Sequence, residues 1–283
     1  MITTKMTPPS AELRDLIIPT AHTLIAGTTG SGKSVLLNSI LYSLLIDTSN
    51  LFYMADTKRV ELKIYAKLER RVRRVTEPEE VGEMLSEVID IMESRYESMD
   101  GKESKEPRIY VVIDELADLV DDDDAGKAVL KQLVKIGRLG RAAHIHLICC
   151  TQDPSRRTLS AQLMHNFTTC IALRCKDAIE SKQIIGRDGA ESLPRYGKAL
   201  VSCPDGYKTI SVPMTPEEDI YELCNSLLMI EHYQNDLERF EKELAECRGN
   251  FRALTAPTRP VWVESTLSGW LADGTWVMKW AKK

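Results

Sequence analysis

The chain has 283 residues, 43% of them hydrophobic and 28% charged, with a formal net charge of −5. That is the composition of a globular protein with room for one α/β domain of about 200 residues and an appendage. No apolar run approaches the roughly 18 residues of a membrane-spanning helix and the first residues lack a secretion-signal pattern, which argues against membrane insertion by this chain and predicts a soluble, cytoplasmic protein. The seven cysteines show no paired C-x-x-C spacing for zinc and suit a reducing compartment.

Residues 1–20 read as a lead-in. His22 to Ala26 reads as a short buried strand and Val35 to Ile46 as an apolar helix. Between them, Gly27-Thr28-Thr29-Gly30-Ser31-Gly32-Lys33-Ser34 fits the phosphate-cradling pattern G-x-x-x-x-G-K-[ST] in its required strand-loop-helix setting. The glycines let successive backbone N–H groups turn onto phosphate oxygens, and the helix start, with Val35 in its first turn, adds partial positive charge. Lys33 is expected to reach the β- and γ-phosphates and Ser34 to ligate Mg²⁺, so ATP and Mg²⁺ are the expected ligands. A glycine-rich turn without a ligand is the competing reading.

A basic cluster follows at Lys67, Arg70, Arg71, Arg73 and Arg74. Arg108 to Ile113 is a hydrophobic run ending in Asp114-Glu115, as in a buried parallel strand that delivers carboxylates to the ligand edge of a sheet. Asp114 suits Mg²⁺ through its water shell, and Glu115 suits activation of the attacking water. The pair also suits a helix start, and the two roles are compatible. The acidic run Asp121 to Asp124 precedes Lys127, Lys131, Lys135 and Arg138, whose spacing places a basic stripe on one helix face; a nucleic-acid contact and a solvated face balanced by the acidic run both remain open. Ile145 to Cys150 is a third strand ending in Thr151-Gln152. Gln152 is the candidate γ-phosphate sensor, with an ordinary polar strand end as the alternative. His144 and His146 are expected to pack, since no third metal ligand lies nearby.

Pro213 to Pro216 marks a boundary. Beyond it, Ile220 to Arg248 reads as one long amphipathic helix ended by Gly249. Residues 250–283 hold all four tryptophans, and Asp273-Gly274 between apolar triplets signals a β-hairpin.

Several segments in order resemble the motor domain of the FtsK/SpoIIIE family, within the HerA/FtsK group of RecA-like ring ATPases. They are Ala26 to Ser39, Asp56-Thr57-Lys58-Arg59-Val60-Glu61-Leu62, Val111 to Leu119, Gly140 to Leu147, Thr151-Gln152 and Gly189-Ala190-Glu191. The resemblance implies an α/β, RecA-like P-loop core over 21–213 with a mainly parallel central sheet, followed by the long helix over 214–249 and the tryptophan-rich tail. It also implies a DNA-stimulated ATPase that forms a ring, usually hexameric, around double-stranded DNA and pumps it through the channel. Departures from the family pattern are Thr57 for proline, Asp153 for arginine, and Lys198-Ala199 for Asp-Met.

On that resemblance, Arg141 is the first choice, and Arg138 the second, for an arginine that reaches a neighbouring subunit's nucleotide; a structural salt bridge is the other reading of Arg141. Arg156 and Arg157, and later Arg187, are the expected DNA-phosphate contacts. The tail does not resemble the family's winged-helix DNA reader and is expected to dock on the motor or on a protein partner. The missing anchor and reader suggest service to a plasmid, phage or conjugative element, and an ATPase for protein export or a scaffold role is the alternative.

Overall fold

The computed structural model describes residues 2–4, 11–17, 21–100, 103–120, 123–249, 267–270 and 276–279. In chain order the elements are β1 (Ile2–Thr4), α1 (Ala11–Ile17), β2 (His22–Ala26), α2 (Lys33–Leu45), β3 (Leu51–Ala55), β4 (Val72–Val75), α3 (Pro78–Ser98), β5 (Ile109–Ile113), α4 (Asp124–Leu139), β6 (Ile145–Thr151), α5 (Ala161–Met164), β7 (Thr169–Ala172), α6 (Ala178–Ile185), β8 (Lys198–Cys203), β9 (Gly206–Ser211), α7 (Glu217–Gly249), β10 (Leu267–Trp270) and β11 (Trp276–Lys279). They fall into two compact units, one spanning Ser10–Met214 and the other formed by Met1–Pro9 with Thr215–Lys283.

The larger unit is built on an eight-stranded sheet in the order β4-β3-β5-β6-β2-β7-β8-β9. The six strands from β4 to β7 run parallel, and β8 and β9 are added antiparallel. Every residue of β2, β5 and β6 is buried. Their largely apolar runs, broken by the buried polar residues His22, Thr23, His146 and Thr151, are those of parallel strands covered on both faces by crossover helices. On one face α3 contributes Val81, Met84, Leu85, Val88, Ile89 and Met92, and α4 adds Val129, Leu133 and Ile136. Each such buried side chain stabilises the fold by roughly 1.5–3 kcal/mol. Helix α3 has Pro78 in its first turn and a reciprocal capping box between Glu77 and Glu80, which satisfies backbone donors at its start and fixes where it begins.

The placement of β6 decides the site. It pairs with β2 on one side (Ala26 opposite Thr151) and with β5 on the other (Ile113 opposite Cys149). All three strands therefore end at one edge, around one crevice, as ligand sites in open parallel sheets do.

The basic cluster at 67–74 belongs largely to the framework. Arg71 is buried and donates to the carbonyls of Leu45, Asp47 and Asn50. Arg74 pairs with buried Asp56, and Arg73 with Glu87. His146, likewise, stacks on Tyr110 with ring centroids 5.3 Å apart.

The smaller unit holds the long helix α7 and a three-stranded antiparallel sheet in the order β1-β11-β10. The hairpin pairs Trp270 with Trp276; its turn at Asp273-Gly274 lies outside the described residues. Its third strand, β1, pairs Ile2 with Met278. Nothing in the lead-in residues signalled that pairing, because strand partners far apart in sequence leave no local trace.

Candidate functional site: a nucleotide crevice at one edge of the sheet

The loop from Gly27 to Gly32 leaves β2 and turns directly into α2. Gly32 has φ 98°, a left-handed conformation that side chains rarely adopt, although a Cβ there would meet only open space. Gly27 is required for a different reason: a Cβ at that position would stand 2.9 Å from Leu173 Cβ and 2.9 Å from Ser31 Oγ. The loop is braced from the end of β7, where the Arg174 carbonyl accepts the Thr28 amide N–H at 3.0 Å and its hydroxyl at 3.1 Å. Lys33 folds its ammonium back onto the Gly27 carbonyl at 3.1 Å. Burial holds that ammonium below its ordinary pKa, partly opposed by the charge of Glu115. Thr28 is half-buried and Thr29 exposed, and Val35 faces outward at the start of α2.

Asp114 and Glu115 leave the end of β5 into this crevice, and both are buried. Among the described residues the Asp114 Oδ2 atom has no hydrogen-bond donor. Burial pushes the Asp114 carboxyl up to about 6, with Asp56, Glu61 and Glu115 adding to the shift and Lys58 opposing it. An orphaned buried oxygen amid several carboxylates fits a divalent cation held through oxygen. The hydroxyl of Ser34 sits in the same cluster and donates to Glu61 Oε1 at 2.6 Å.

Glu115 does not cap the short 3₁₀ turn that follows it. Its Oε1 instead accepts the Gln152 backbone N–H at 2.9 Å, and its Oε2 pairs with the Lys58 ammonium at 3.0 Å. The Gln152 side chain accepts a hydrogen bond from the Thr29 hydroxyl. One polar chain thus runs from Lys58 through Glu115 and Gln152 to the phosphate loop. It exists because β6 lies between the strand that carries the loop and the strand that carries the acids.

Three groups at this edge had no role in the sequence reading: Lys58, Glu61 and Arg195. The first two follow β3, which neighbours β5, so charged residues just past a third adjacent strand end were the available signal. Arg195 lies far along the chain and places Nη2 3.3 Å from where a Gly30 Cβ would stand. No local pattern pointed to it.

The remaining predicted residues lie elsewhere. Arg138 is exposed in the last turn of α4, and Arg141 is exposed just before β6 begins. Arg141 is therefore at the opposite end of β6 from Gln152, a strand length of roughly 23 Å away. Arg156 and Arg157 are exposed in the loop after β6, and Arg187, also exposed, lies over the Tyr207 ring at 5.1 Å. No described helix is long and apolar enough to cross a membrane.

A family model described as "FtsK/SpoIIIE family" matches residues 6–106 and 97–156, together more than half of the chain. Over 205 residues the chain is 35% identical to the DNA translocase FtsK of Staphylococcus epidermidis, covering 63% of this chain and 26% of that protein. It thus spans about a quarter of the length of that relative. Among solved structures, the pCW3 conjugation coupling protein TcpA, in its monomer form with ATPγS, superposes with a TM-score of 0.64 at 26% identity, covering 75% of this chain and 65% of that one. EssC (ATPases 2 and 3) from Geobacillus thermodenitrificans gives 0.62 at 19% identity, covering 82% of this chain and 50% of that one, a likeness of fold. With a phosphate loop, paired strand-end acids and a strand-end glutamine around one crevice, and with this family match, the chain belongs to the FtsK/SpoIIIE family of P-loop ATPases.

Proposed function

We propose that this chain hydrolyses ATP with Mg²⁺ and uses the energy to move double-stranded DNA, working as a ring of identical copies, hexameric by family resemblance. One observation carries the hydrolytic half of this reading: Lys33, Asp114, Glu115 and Gln152 arrive at one crevice from three adjacent strand ends, linked by the Glu115–Gln152–Thr29 hydrogen bonds.

The roles follow from the chemistry of each group. The loop N–H groups and Lys33 take the charge of the β- and γ-phosphates. Ser34 and Asp114 would hold Mg²⁺, which when bound neutralises phosphate charge. Glu115 accepts the proton of the water that attacks the γ-phosphorus. Gln152 touches the γ-phosphate, and through its own backbone N–H it is tied to that base. Arg141 cannot reach this crevice from its own chain, and the reading assigns it to the nucleotide of a neighbouring copy, where a guanidinium stabilises charge on the transferred phosphoryl group. Arg156, Arg157 and Arg187 meet DNA phosphates without reading bases. The domain limits at 21–213, 214–249 and 250–283 belong to the same proposal, as does the docking role of the tail, most of which lies outside the described residues.

DNA as the moved polymer is supported by the relatives named as DNA translocases. The test is ATP turnover with and without duplex DNA of unrelated sequences. Stimulation by any duplex, falling steeply as salt rises, is expected because phosphate contacts release counterions. Equal turnover with and without duplex at low and moderate salt, in a protein that forms rings, would favour polypeptide export or a scaffold role.

A further inference from the structure

Glu115 is held from two sides. The Gln152 N–H fixes Oε1 from β6, and the Lys58 ammonium fixes Oε2 from the loop after β3, at 2.9 and 3.0 Å. The glutamate side chain is 4% exposed and that of Lys58 is 38% exposed. The lysine therefore keeps part of its hydration while compensating a carboxylate that has lost nearly all of its own, which limits the cost of the pair.

The loop that delivers Lys58 is fixed at several points. Asp56, fully buried, accepts the Val60 and Leu62 N–H groups at 3.3 and 3.2 Å and carries the Arg74 guanidinium at 2.7 Å. Thr57, where the family pattern has proline, donates to Asp118 at 2.8 Å and so ties the loop to the turn that follows Glu115. Arg59 has φ 58°, an unusual conformation outside glycine, and forms an ion pair with Glu77. Strained residues of this kind persist where the surroundings over-determine them, and they concentrate at functional sites. Burial draws the Lys58 ammonium down, but its hydrogen bond to Glu115 and the charges of Glu115, Asp114 and Asp118 raise it above its ordinary pKa, which keeps the cation available to the pair.

We propose that Lys58 is the positioning residue of Glu115, holding the general base in one orientation within the crevice. The inference rests on the reading of Glu115 as the base. A carboxylate oxygen has two lone pairs, so the two hydrogen bonds leave one free site on each oxygen for the attacking water. Removing Lys58 leaves a buried carboxylate with one anchor, free to rotate away from the position that faces the attacking water.

The test compares the full-length protein with Lys58→Ala, Lys58→Met, Lys58→Arg, Glu115→Gln and the double variant Lys58→Ala/Glu115→Gln. ATP turnover is measured together with affinity for a non-hydrolysable ATP analogue and thermal melting. Lys58→Ala and Lys58→Met are expected to lower kcat roughly tenfold to a hundredfold, as a misplaced catalytic group does, with analogue affinity and melting near wild type. Lys58→Arg, which keeps the charge, should recover much of the loss. The double variant should be no slower than Glu115→Gln alone, since the lysine acts through the carboxylate. Unchanged kcat in the Lys58 variants, losses that multiply in the double variant, or weaker analogue binding at unchanged kcat would each overturn the proposal. Wild-type turnover in Glu115→Gln would remove the base assignment itself, and is read independently of Lys58.

Discussion

The two ends of β6 differ in how far one chain completes them. At the Gln152 end, the glutamine, Glu115, the lysine after β3 and the phosphate loop are already joined by hydrogen bonds within the chain. At the other end, Arg141 is exposed, and its carbonyl closes a turn with the His144 N–H at 3.1 Å. A strand of seven residues separates the two, a distance longer than an arginine side chain. The contrast shows which parts of such a site a single fold can pre-organise and which role, if arginine has it, must be met by another copy.

The sharpest way to break the contrast is at the Arg141 end. Arg141→Ala is expected to lower DNA-stimulated turnover by about 10³-fold or more, the range known for trans-acting arginines. Mixing it with inactive Lys33→Ala subunits should restore measurable activity, because some interfaces then join an intact loop to an intact arginine. Mixed rings that stay inactive would return Arg141 to a structural role. At the Gln152 end, Glu115→Gln should bind ATP normally and hydrolyse it about 10² to 10⁴ times more slowly, whereas Lys33→Ala should lose binding or turnover outright. Comparing analogue affinity with single-turnover hydrolysis separates the two, and rapid hydrolysis by Glu115→Gln would refute the assignment.

A third measurement concerns the charge stored at the same end. The Asp114 carboxyl is raised to about 6, above an unfolded value near 3.9. The folded state therefore binds the proton more tightly, and the stability this contributes is present at low pH and is lost as pH rises through about 6. At pH 7 without Mg²⁺ the buried carboxylate costs about 3 kcal/mol on this shift. Asp114→Asn should accordingly melt higher than wild type in Mg²⁺-free buffer at pH 7, with the gap closing toward pH 4. An equal melting temperature at pH 7 would show that the crevice relieves this charge in some other way. The smallest effect is expected outside the crevice. Replacing Arg156 and Arg157 by Ala should weaken DNA stimulation uniformly across sequences and reduce the salt slope by about 2, one for each phosphate that the variant no longer neutralises. Basal turnover should stay intact, and an unaltered slope would take both residues off the DNA path.

What could be read from the sequence divides along the same physical line. The phosphate loop, the acids after β5 and the glutamine after β6 were legible because each sits in a short motif at the end of an apolar run. The long helix α7 and the hairpin strands were legible from periodicity and from the Asp273-Gly274 signal. Lys58, Glu61 and Arg195 were not assigned, because their importance depends on which strands lie side by side, and strand order is a long-range property. The basic cluster at 67–74 stands out in the sequence only as a group of charges, and a list of charges does not reveal that Arg71 is spent on three backbone carbonyls and Arg74 on a buried aspartate. The pairing of β1 with β11 left no sign for the same reason as the strand order.

The open sheet has a consequence for colloidal behaviour. Among the described residues its outermost strands are β4, with the part-exposed Arg73, and β9, with Lys208. Unpaired outer strands are templates for adding a foreign strand, and cationic side chains there make such addition costly. Five of the six residues of β9 are exposed, among them Tyr207 and Lys208, so Lys208 stands where a gatekeeper cation would act on that outer strand. On this view some of the chain's positive charge protects a concentrated solution of it from fibrillar self-association.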